Sequence, residues 1–537
     1  MGIYLNPGNS GFAEIVNSDY EDKTGLARVI NQTIGKMNKL TCISRPRRFG
    51  KSYTAKMLCA YYDCSCDSHV LFDKKNIART KEYLTYLNQF NVIYLDITGF
   101  ISSAQRQGIS FKEIPDMIVA AIHDELLSLD PQLPAKKSLT DCLIRYVEKP
   151  GGRQFIFIID EWDAMIREAK NDETAQKRYL SLLRERFKNS NFTPKAVAAA
   201  YMTGILPIKK DGAQSAISDF REYTVLNPGQ FAKFTGFTED EVRKRCKRKK
   251  MDFEEIKAWY DGYDFSEMGA VYNPFSVMCA MESGECRSFW RETSAAESLK
   301  TYINMDFDGM QEIVSRLIIG EEIEVDTGGF QNDFETFKSR DDILTLLIHL
   351  GYLTYKKSEH TVRIPNEEVR NEFRSILKGN DVNRKWMELI RRSQKLLEDT
   401  IGGNADAVAA AIEEVRKEQY ASTYYNNEQA LRSVIKFAYI VAIGQYMKIE
   451  EMPSGKGIAD VVFIPKKMSL SNLPAMIIEL KWNRTSGGAI SQMKEKGYLE
   501  VLKDYGGAIL LVGINYDEKT KVHTCEILRS SHHYLKG

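Results

Sequence analysis

No charge of one sign dominates this 537-residue sequence: 74 Lys and Arg stand against 73 Asp and Glu, a formal net charge of +1. A chain-wide electrostatic attraction to nucleic acid or to an anionic membrane is therefore excluded, and any such surface has to be local. Long apolar runs are missing as well. No stretch approaches the roughly 20 residues that a membrane-spanning helix needs. Met1-Gly2-Ile3-Tyr4-Leu5-Asn6-Pro7 has no basic segment followed by an apolar core, so no secretory signal is expected. A cytoplasmic protein without a membrane partner is the expectation. The nine cysteines lack paired metal spacing: Cys64-Ser65-Cys66 is too tight for a zinc knuckle, and no second pair answers it. They read as reduced thiols. The remaining composition, 43% hydrophobic and 27% charged, is that of a globular chain. Its length calls for three or four domains.

What is present begins with Arg45-Pro46-Arg47-Arg48-Phe49-Gly50-Lys51-Ser52-Tyr53-Thr54. A short strand-like run, Lys39 to Ile43, precedes it, and Ala55 to Tyr62 follows with helical spacing and no breaker. Strand, tight turn with Gly-Lys-Ser and helix is the arrangement in which backbone N–H groups and a helix N-terminus surround a polyphosphate. Lys51 would reach the outer phosphates of ATP and the Ser52 hydroxyl would hold Mg²⁺. The generic loop has glycine where this chain has Arg45, so the pattern alone also fits an ordinary exposed turn. The reading gains from Phe155-Ile156-Phe157-Ile158-Ile159-Asp160-Glu161. Five apolar residues mark a buried parallel strand, with two carboxylates at the end where open α/β sheets bind ligands. Asp160 would serve the Mg²⁺ shell, and Glu161 would orient and deprotonate water.

The segments Tyr20-Glu21-Asp22-Lys23-Thr24, Arg45 to Ser52, Ile159 to Asp163 and Met202-Thr203-Gly204-Ile205-Leu206 together resemble the predicted AAA-ATPase-like family. That family is largely bacterial, and its members often carry a PD-(D/E)XK nuclease-like domain at the C-terminus. The resemblance spans most of the chain. It implies that Arg45, Arg47, Arg48, Phe49, Gly50, Lys51, Ser52 and Tyr53 form the ATP-binding loop. It also puts Thr203 where related ATPases carry a sensor of the γ-phosphate, although a threonine at a strand end is commonplace. Lys23 and Thr24 could line the base pocket or merely start a helix. Arg184 and Arg186 could reach a neighbouring subunit, which would require a homo-oligomer, or lie on a solvated helix face.

Further on, Glu241 to Lys250 is the densest basic run, suited either to phosphates of nucleic acid or to plain solvation. Trp259 to Phe265 and Val271 to Ser276 match family segments expected to build a helical lid. A helix over Asp341 to Leu350, then a hairpin pairing Tyr352–Tyr355 with Thr361–Ile364, resembles a winged helix.

In the last third, Gly457-Ile458-Ala459-Asp460-Val461-Val462-Phe463-Ile464 and Ala475-Met476-Ile477-Ile478-Glu479-Leu480-Lys481 read as two strands that pair, bringing Asp460 near Glu479. Glu479 and Lys481 share a strand face. Carboxylates inside apolar strands require compensation, and Mg²⁺ or Mn²⁺ supplies it. The segment resembles the PD-(D/E)XK nuclease constellation, which implies catalytic roles for Asp460, Glu479 and Lys481. Glu428 matches an acidic residue that some members add as a metal ligand, and Gln492 and Tyr498 match a Gln and a Tyr on the following helix. The family often has Arg where this chain has Ile458. From residue 419 onward, 15 Lys and Arg face 11 Asp and Glu, so affinity for DNA or RNA would come from a focused cleft.

The expected fold class is α/β: a doubly wound P-loop sheet at 1–228, a helical lid at 229–300, a winged-helix-like middle at 301–381, a helical connector at 382–418 and a restriction-endonuclease-like domain at 419–537. The expected function is an ATPase with a metal-dependent nuclease that cuts DNA or RNA under nucleotide control, in defence against foreign nucleic acid. The alternative is a nucleotide-dependent switch that binds nucleic acid or a protein without cleaving it.

Overall fold

Strands whose residues are buried on both faces need a layer of helices on each side, and the first 230 residues supply them. In the computed structural model, which describes residues 2–169, 172–208, 217–265, 269–290, 310–330, 339–377, 381–419, 427–454, 457–466, 473–502, 505 and 507–530, five parallel strands form one sheet. They are β1 (Leu40–Ser44), β2 (Asn91–Asp96), β3 (Phe155–Asp160), β4 (Val197–Gly204) and β5 (Arg221–Tyr223), in the order β2-β3-β4-β1-β5. Side-chain alternation splits the core in two: Phe155, Phe157 and Ile159 of β3 enter the cluster on one face, Ile156 and Ile158 the cluster on the other. Because β4 lies between β1 and β3, the C-terminal ends of all three strands meet.

The helix that Thr24 precedes is short. It spans Gly25–Asn31, and Gly35 with φ +72° lies in the left-handed region that ends such a run. Further helices include Leu139–Glu148 and Glu173–Phe187.

Contacts divide the chain into two units, residues 1–310 with 324–371 and residues 311–323 with 372–537. In the first, a three-stranded antiparallel sheet of β6 (Phe237–Thr238), β7 (Tyr263–Asp264) and β8 (Ala270–Tyr272) carries helices Glu239–Lys249, Phe253–Tyr260 and Pro274–Ser283. Helix Arg340–Leu350 ends at Gly351 and leads into the hairpin of β10 (Thr354–Lys356) and β11 (Thr361–Arg363), which a short strand, β9 (Ile323–Glu324), extends.

The second unit holds a mixed sheet in the order β12-β13-β14-β15-β16: Tyr446–Ser454, Gly457–Pro465, Ala475–Trp482, Ile509–Asp517 and Val522–Ser530. Only β14 and β15 run parallel. The segment expected as a connector forms two helices, Asp381–Gly402 and Ala405–Gln419. Their Leu396, Val408 and Ile412 join Leu431, Val434, Phe463 and Ile478 in one core, so this stretch is part of the unit's interior. On the opposite face, helix Ser486–Glu495 sits low on the sheet because Gly513 has no side chain. A Cβ there would fall 2.4 Å from the Ser486 carbonyl oxygen and 3.0 Å from the Ala489 Cβ. Gly513 pairs with Glu479 on the adjacent strand, so the close approach brings the helix over Glu479.

Gly513→Val should lift that helix and destabilise the second unit by about 1–3 kcal/mol, the range of overpacking substitutions. Chemical denaturation followed by circular dichroism measures this, and an unchanged midpoint would refute it.

Candidate functional site

The phosphate loop turns from β1 into helix Lys51–Tyr62 through Gly50, whose φ of +81° is left-handed. Lys51 is buried, and its ammonium is folded back on its own loop, donating to the carbonyls of Arg45 (3.2 Å) and Pro46 (3.0 Å) and pairing with Glu161 Oε1 at 3.4 Å. Asp160, at the end of β3, takes a hydrogen bond from the Thr203 hydroxyl, and the nearby Ser52 hydroxyl also favours its ionised form. Burial holds its carboxyl above the usual range, against the pull of those two hydroxyls. Glu161 follows in a left-handed conformation, φ +53°. Burial pushes its carboxyl up, but Lys51 and Arg167 outweigh burial and hold it below the usual range. Arg167 Nη2 lies 2.7 Å from Glu161 Oε2, and its Nε lies 3.0 Å from Asp163 Oδ2.

The strained turn after β3 is held by the end of β4. Asp163 Oδ2 accepts the N–H groups of Ile205 (3.1 Å) and Leu206 (2.9 Å), and the Trp162 N–H donates to the Thr203 carbonyl at 2.9 Å. Gly204 lets the indole in, since a Cβ there would lie 2.7 Å from the Trp162 ring. Asp160, Glu161, Ser52, Lys51 and Thr203 are thus brought together.

The loop's other residues divide. Phe49, Gly50, Lys51, Ser52 and Tyr53 line a cavity of about 480 Å³, closed from the opposite side by Phe275 and Met278 of helix Pro274–Ser283. This lies within the roughly 300–1,000 Å³ span of small-molecule sites. Arg48, also at its wall, stacks its guanidinium 4.0 Å from the centre of the Phe275 ring and donates to the Phe289 carbonyl at 3.1 Å. Arg45 points away from the cavity. It is fully buried, donating to Thr235 Oγ1 and to the carbonyls of Ser44 and Tyr223, with Phe265 5.0 Å from its guanidinium. Burial pulls its pKa down to about 10. The arginine that replaces glycine in the generic loop therefore ties the loop to β5 and to the segment entering β6. Arg47 stays outside the cavity wall, close enough for its charge to act on Glu161.

Lys23 reaches the cavity, yet its ammonium is held by Glu241 at 2.7 Å and by the Lys233 carbonyl at 2.9 Å. Much of the basic run is likewise spent inside the unit: Arg245 is buried against Asp19 (2.9 Å) and Glu21 (3.0 Å), Arg248 pairs with Asp19 and Arg243 with Glu239. The pairs with Asp19 and Glu21 were invisible from the run alone, because those acids lie more than 200 residues earlier. Arg186 is buried on Thr140 and Glu185, whereas Arg184 is exposed.

In the second unit, the ladder between β13 and β14 ends at Val461–Ile478, and beyond it the Asp460 carboxylate takes the Leu480 N–H at 2.8 Å. Asp460 Oδ1 pairs with Arg432 Nη2 at 2.5 Å. Glu479 is 2% exposed; its Oε1 receives Lys481 Nζ (2.9 Å) and the Gln492 amide, while its Oε2 is buried without a partner. Burial, reinforced by the Asp460 charge, holds the Glu479 carboxyl above the usual range despite Lys481. The Tyr498 hydroxyl donates to the Ile458 carbonyl at 2.8 Å. Glu428 lies exposed at the first turn of helix Glu428–Ala438. Among the described residues no three Asp, Glu, His or Cys group around one point, so Glu428 does not join Asp460 and Glu479. Tyr424 to Asn426 and Lys456 lie outside the described residues. The orphaned Glu479 oxygen fits a divalent cation, which Asp460 and Glu479 would hold.

A parallel sheet with a Gly-Lys-Ser helix start facing a strand-end Asp-Glu pair defines a P-loop nucleotide-binding domain, and the mixed sheet with paired strand-end carboxylates and a lysine defines a nuclease-like one. Residues 7–214 match the family described as Predicted AAA-ATPase, and residues 426–526 match the PD-(D/E)XK nuclease superfamily, so the chain carries a domain of each. It is similar to an uncharacterized protein in the vnfD 5′ region of Azotobacter chroococcum mcd 1, 23% identical over 95% of this chain and 96% of that one. Among solved structures, the Aeropyrum pernix ORC2 protein in ADPNP and ADP complexes aligns at TM-score 0.33 with 12% identity, covering 68% of this chain and 97% of that one. A DNA replication initiation factor aligns at TM-score 0.21 with 11% identity, covering 57% and 69%. At those scores the fold rests on the chain's own sheet order. Among the described residues no helix is long and apolar enough to cross a membrane.

A carboxyl raised by burial is protonated in the folded chain while its unfolded counterpart has already ionised, so stability is lost as pH climbs from the unfolded to the folded pKa. Glu479→Gln removes that loss. In chelator, its melting temperature should exceed the wild type's at pH 8, with the gap closing toward pH 4. A variant less stable than wild type at pH 8 would contradict this.

Proposed function

We propose that the first unit binds and hydrolyses ATP and that the second cuts the phosphodiester backbone of DNA or RNA with Mg²⁺ or Mn²⁺, under control of the nucleotide. The nuclease reading is carried by the buried Glu479 Oε2, an acceptor without a partner beside Asp460. A cation completes it, whereas a module that only binds nucleic acid has no use for it.

In the ATPase, Lys51 exchanges Glu161 and its loop carbonyls for phosphate oxygens. That frees Glu161 Oε1, while Arg167 keeps hold of Oε2. The freed oxygen can accept a proton from an attacking water, and its depressed pKa keeps it ionised for that purpose. Ser52 and Asp160 would hold Mg²⁺, and Thr203 fixes the Asp160 carboxylate from the β4 side. Arg48, released from Phe275, is placed to reach the phosphates.

In the nuclease, Asp460 and Glu479 would hold the metal, which when bound activates water and offsets charge on the phosphodiester. Lys481 favours the ionised form of Glu479 against burial and would orient water or a phosphate oxygen, while Gln492 fixes the Glu479 carboxylate. The setting we propose is the cytoplasm, with foreign nucleic acid as the target.

Purified protein is incubated with labelled single- and double-stranded DNA and RNA and Mg²⁺ or Mn²⁺, with and without ATP, beside Lys51→Ala, Glu161→Gln and Glu479→Ala. Cutting should vanish in Glu479→Ala and change in Lys51→Ala. ATP turnover should fall on the order of 10²–10⁴-fold in Glu161→Gln, the usual weight of a general base. Absence of cutting under every condition, with ATP hydrolysis intact and nucleic acid still bound, would favour a nucleotide-dependent switch.

A further inference from the structure

The nuclease centre contains a cation that the reading above does not use. Arg432, on helix Glu428–Ala438, places Nη2 2.5 Å from Asp460 Oδ1 and Nη1 2.5 Å from Glu451 Oε1. Its side chain is only 19% exposed. Glu451 belongs to β12 and stands between Glu450 and Met452, which pair with Val461 and Ala459 on either side of Asp460. Its φ of +51° is left-handed, unusual in the middle of a strand. The helix, β12 and β13 thus converge on one guanidinium with a carboxylate at each end.

This arrangement sets a conflict. Asp460 gives one oxygen to the Leu480 N–H and the other to Arg432. A divalent ion on the same carboxylate would meet a guanidinium at hydrogen-bond distance, and the two positive charges repel. Glu451 differs: 67% exposed, it can keep Arg432 after Asp460 is given up. Guanidinium is also the side-chain group best shaped to take two oxygens of a phosphate.

Resting on the nuclease reading, we propose that Arg432 is the resident cation of this centre. It neutralises Asp460 while the metal is absent and yields that carboxylate when the metal arrives. Still tethered by Glu451, it then turns to a phosphate oxygen of the nucleic acid. It both restrains metal loading and binds substrate.

Two affinities move in opposite directions on this account. Full-length protein without nucleotide is titrated with Mn²⁺, free Mn²⁺ being read by electron paramagnetic resonance, for wild type, Arg432→Gln and Arg432→Met, with Glu479→Gln marking which binding belongs to the nuclease centre. The Met variant keeps the apolar stem should Gln disturb folding, and melting curves report the fold of each. Arg432→Gln should bind Mn²⁺ about tenfold more tightly, and binding of labelled DNA in Ca²⁺ should weaken about tenfold. Arg432→Lys, which retains the charge, should stay within about threefold of wild type in Mn²⁺ affinity. A purely structural arginine would weaken metal binding when removed. Unchanged or weaker Mn²⁺ binding in folded Gln and Met variants therefore overturns the inference while leaving the nuclease reading intact. Absence of any Glu479-dependent Mn²⁺ site in wild type overturns both.

Discussion

Charge that is taken out of water at the end of a strand has to be answered by a cation or by N–H groups, and most of the functional architecture here follows from meeting that demand. Asp163 is the clearest case. Fully buried, it takes two backbone N–H groups from the end of β4 and the guanidinium of Arg167. Those bonds lock the turn after β3, and the turn puts Glu161 into a left-handed conformation between Arg167 and Lys51. Without the Asp163 anchor, little would hold that conformation or keep Thr203 level with Asp160.

The same demand shapes the second unit by different means. There the strands separate after Val461–Ile478, and the Asp460 side chain caps the freed N–H of Leu480. Glu479 is only half answered, because Lys481 and Gln492 both go to one of its oxygens. At Glu161 both carboxylate oxygens meet a cation, whereas at Glu479 one acceptor is left over. That difference separates a site which must release internal partners from one which must acquire a partner.

Legibility in the sequence followed the range of the interaction. The five-residue apolar run of Phe155–Ile159 and the Ala-rich Val197–Met202 announce buried parallel strands, since local pattern and burial coincide there. The spacing of Gly50, Lys51 and Ser52 likewise announces a turn into a helix. Local pattern says nothing about partners far along the chain. The buried role of Arg45, the pairing of Arg245 with Asp19 and Glu21 and the bridge from Arg432 to Glu451 and Asp460 all depend on which distant segments meet. Helices Asp381–Gly402 and Ala405–Gln419 looked like a connector because their charged faces are conspicuous, while the stripe of Leu396, Val408 and Ile412 that enters the core is narrow.

The parked Lys51 has a consequence for discrimination among anions. Its three ammonium donors are already matched by two carbonyls and a carboxylate. A lone inorganic phosphate has to displace all of them with few other contacts to offset the loss. On the proposed reading, a nucleotide would also bring a base and ribose into the cavity that Tyr53 and Met278 line. On that reading the resting loop would favour, over free phosphate, ligands long enough to engage both ends of the cavity at once.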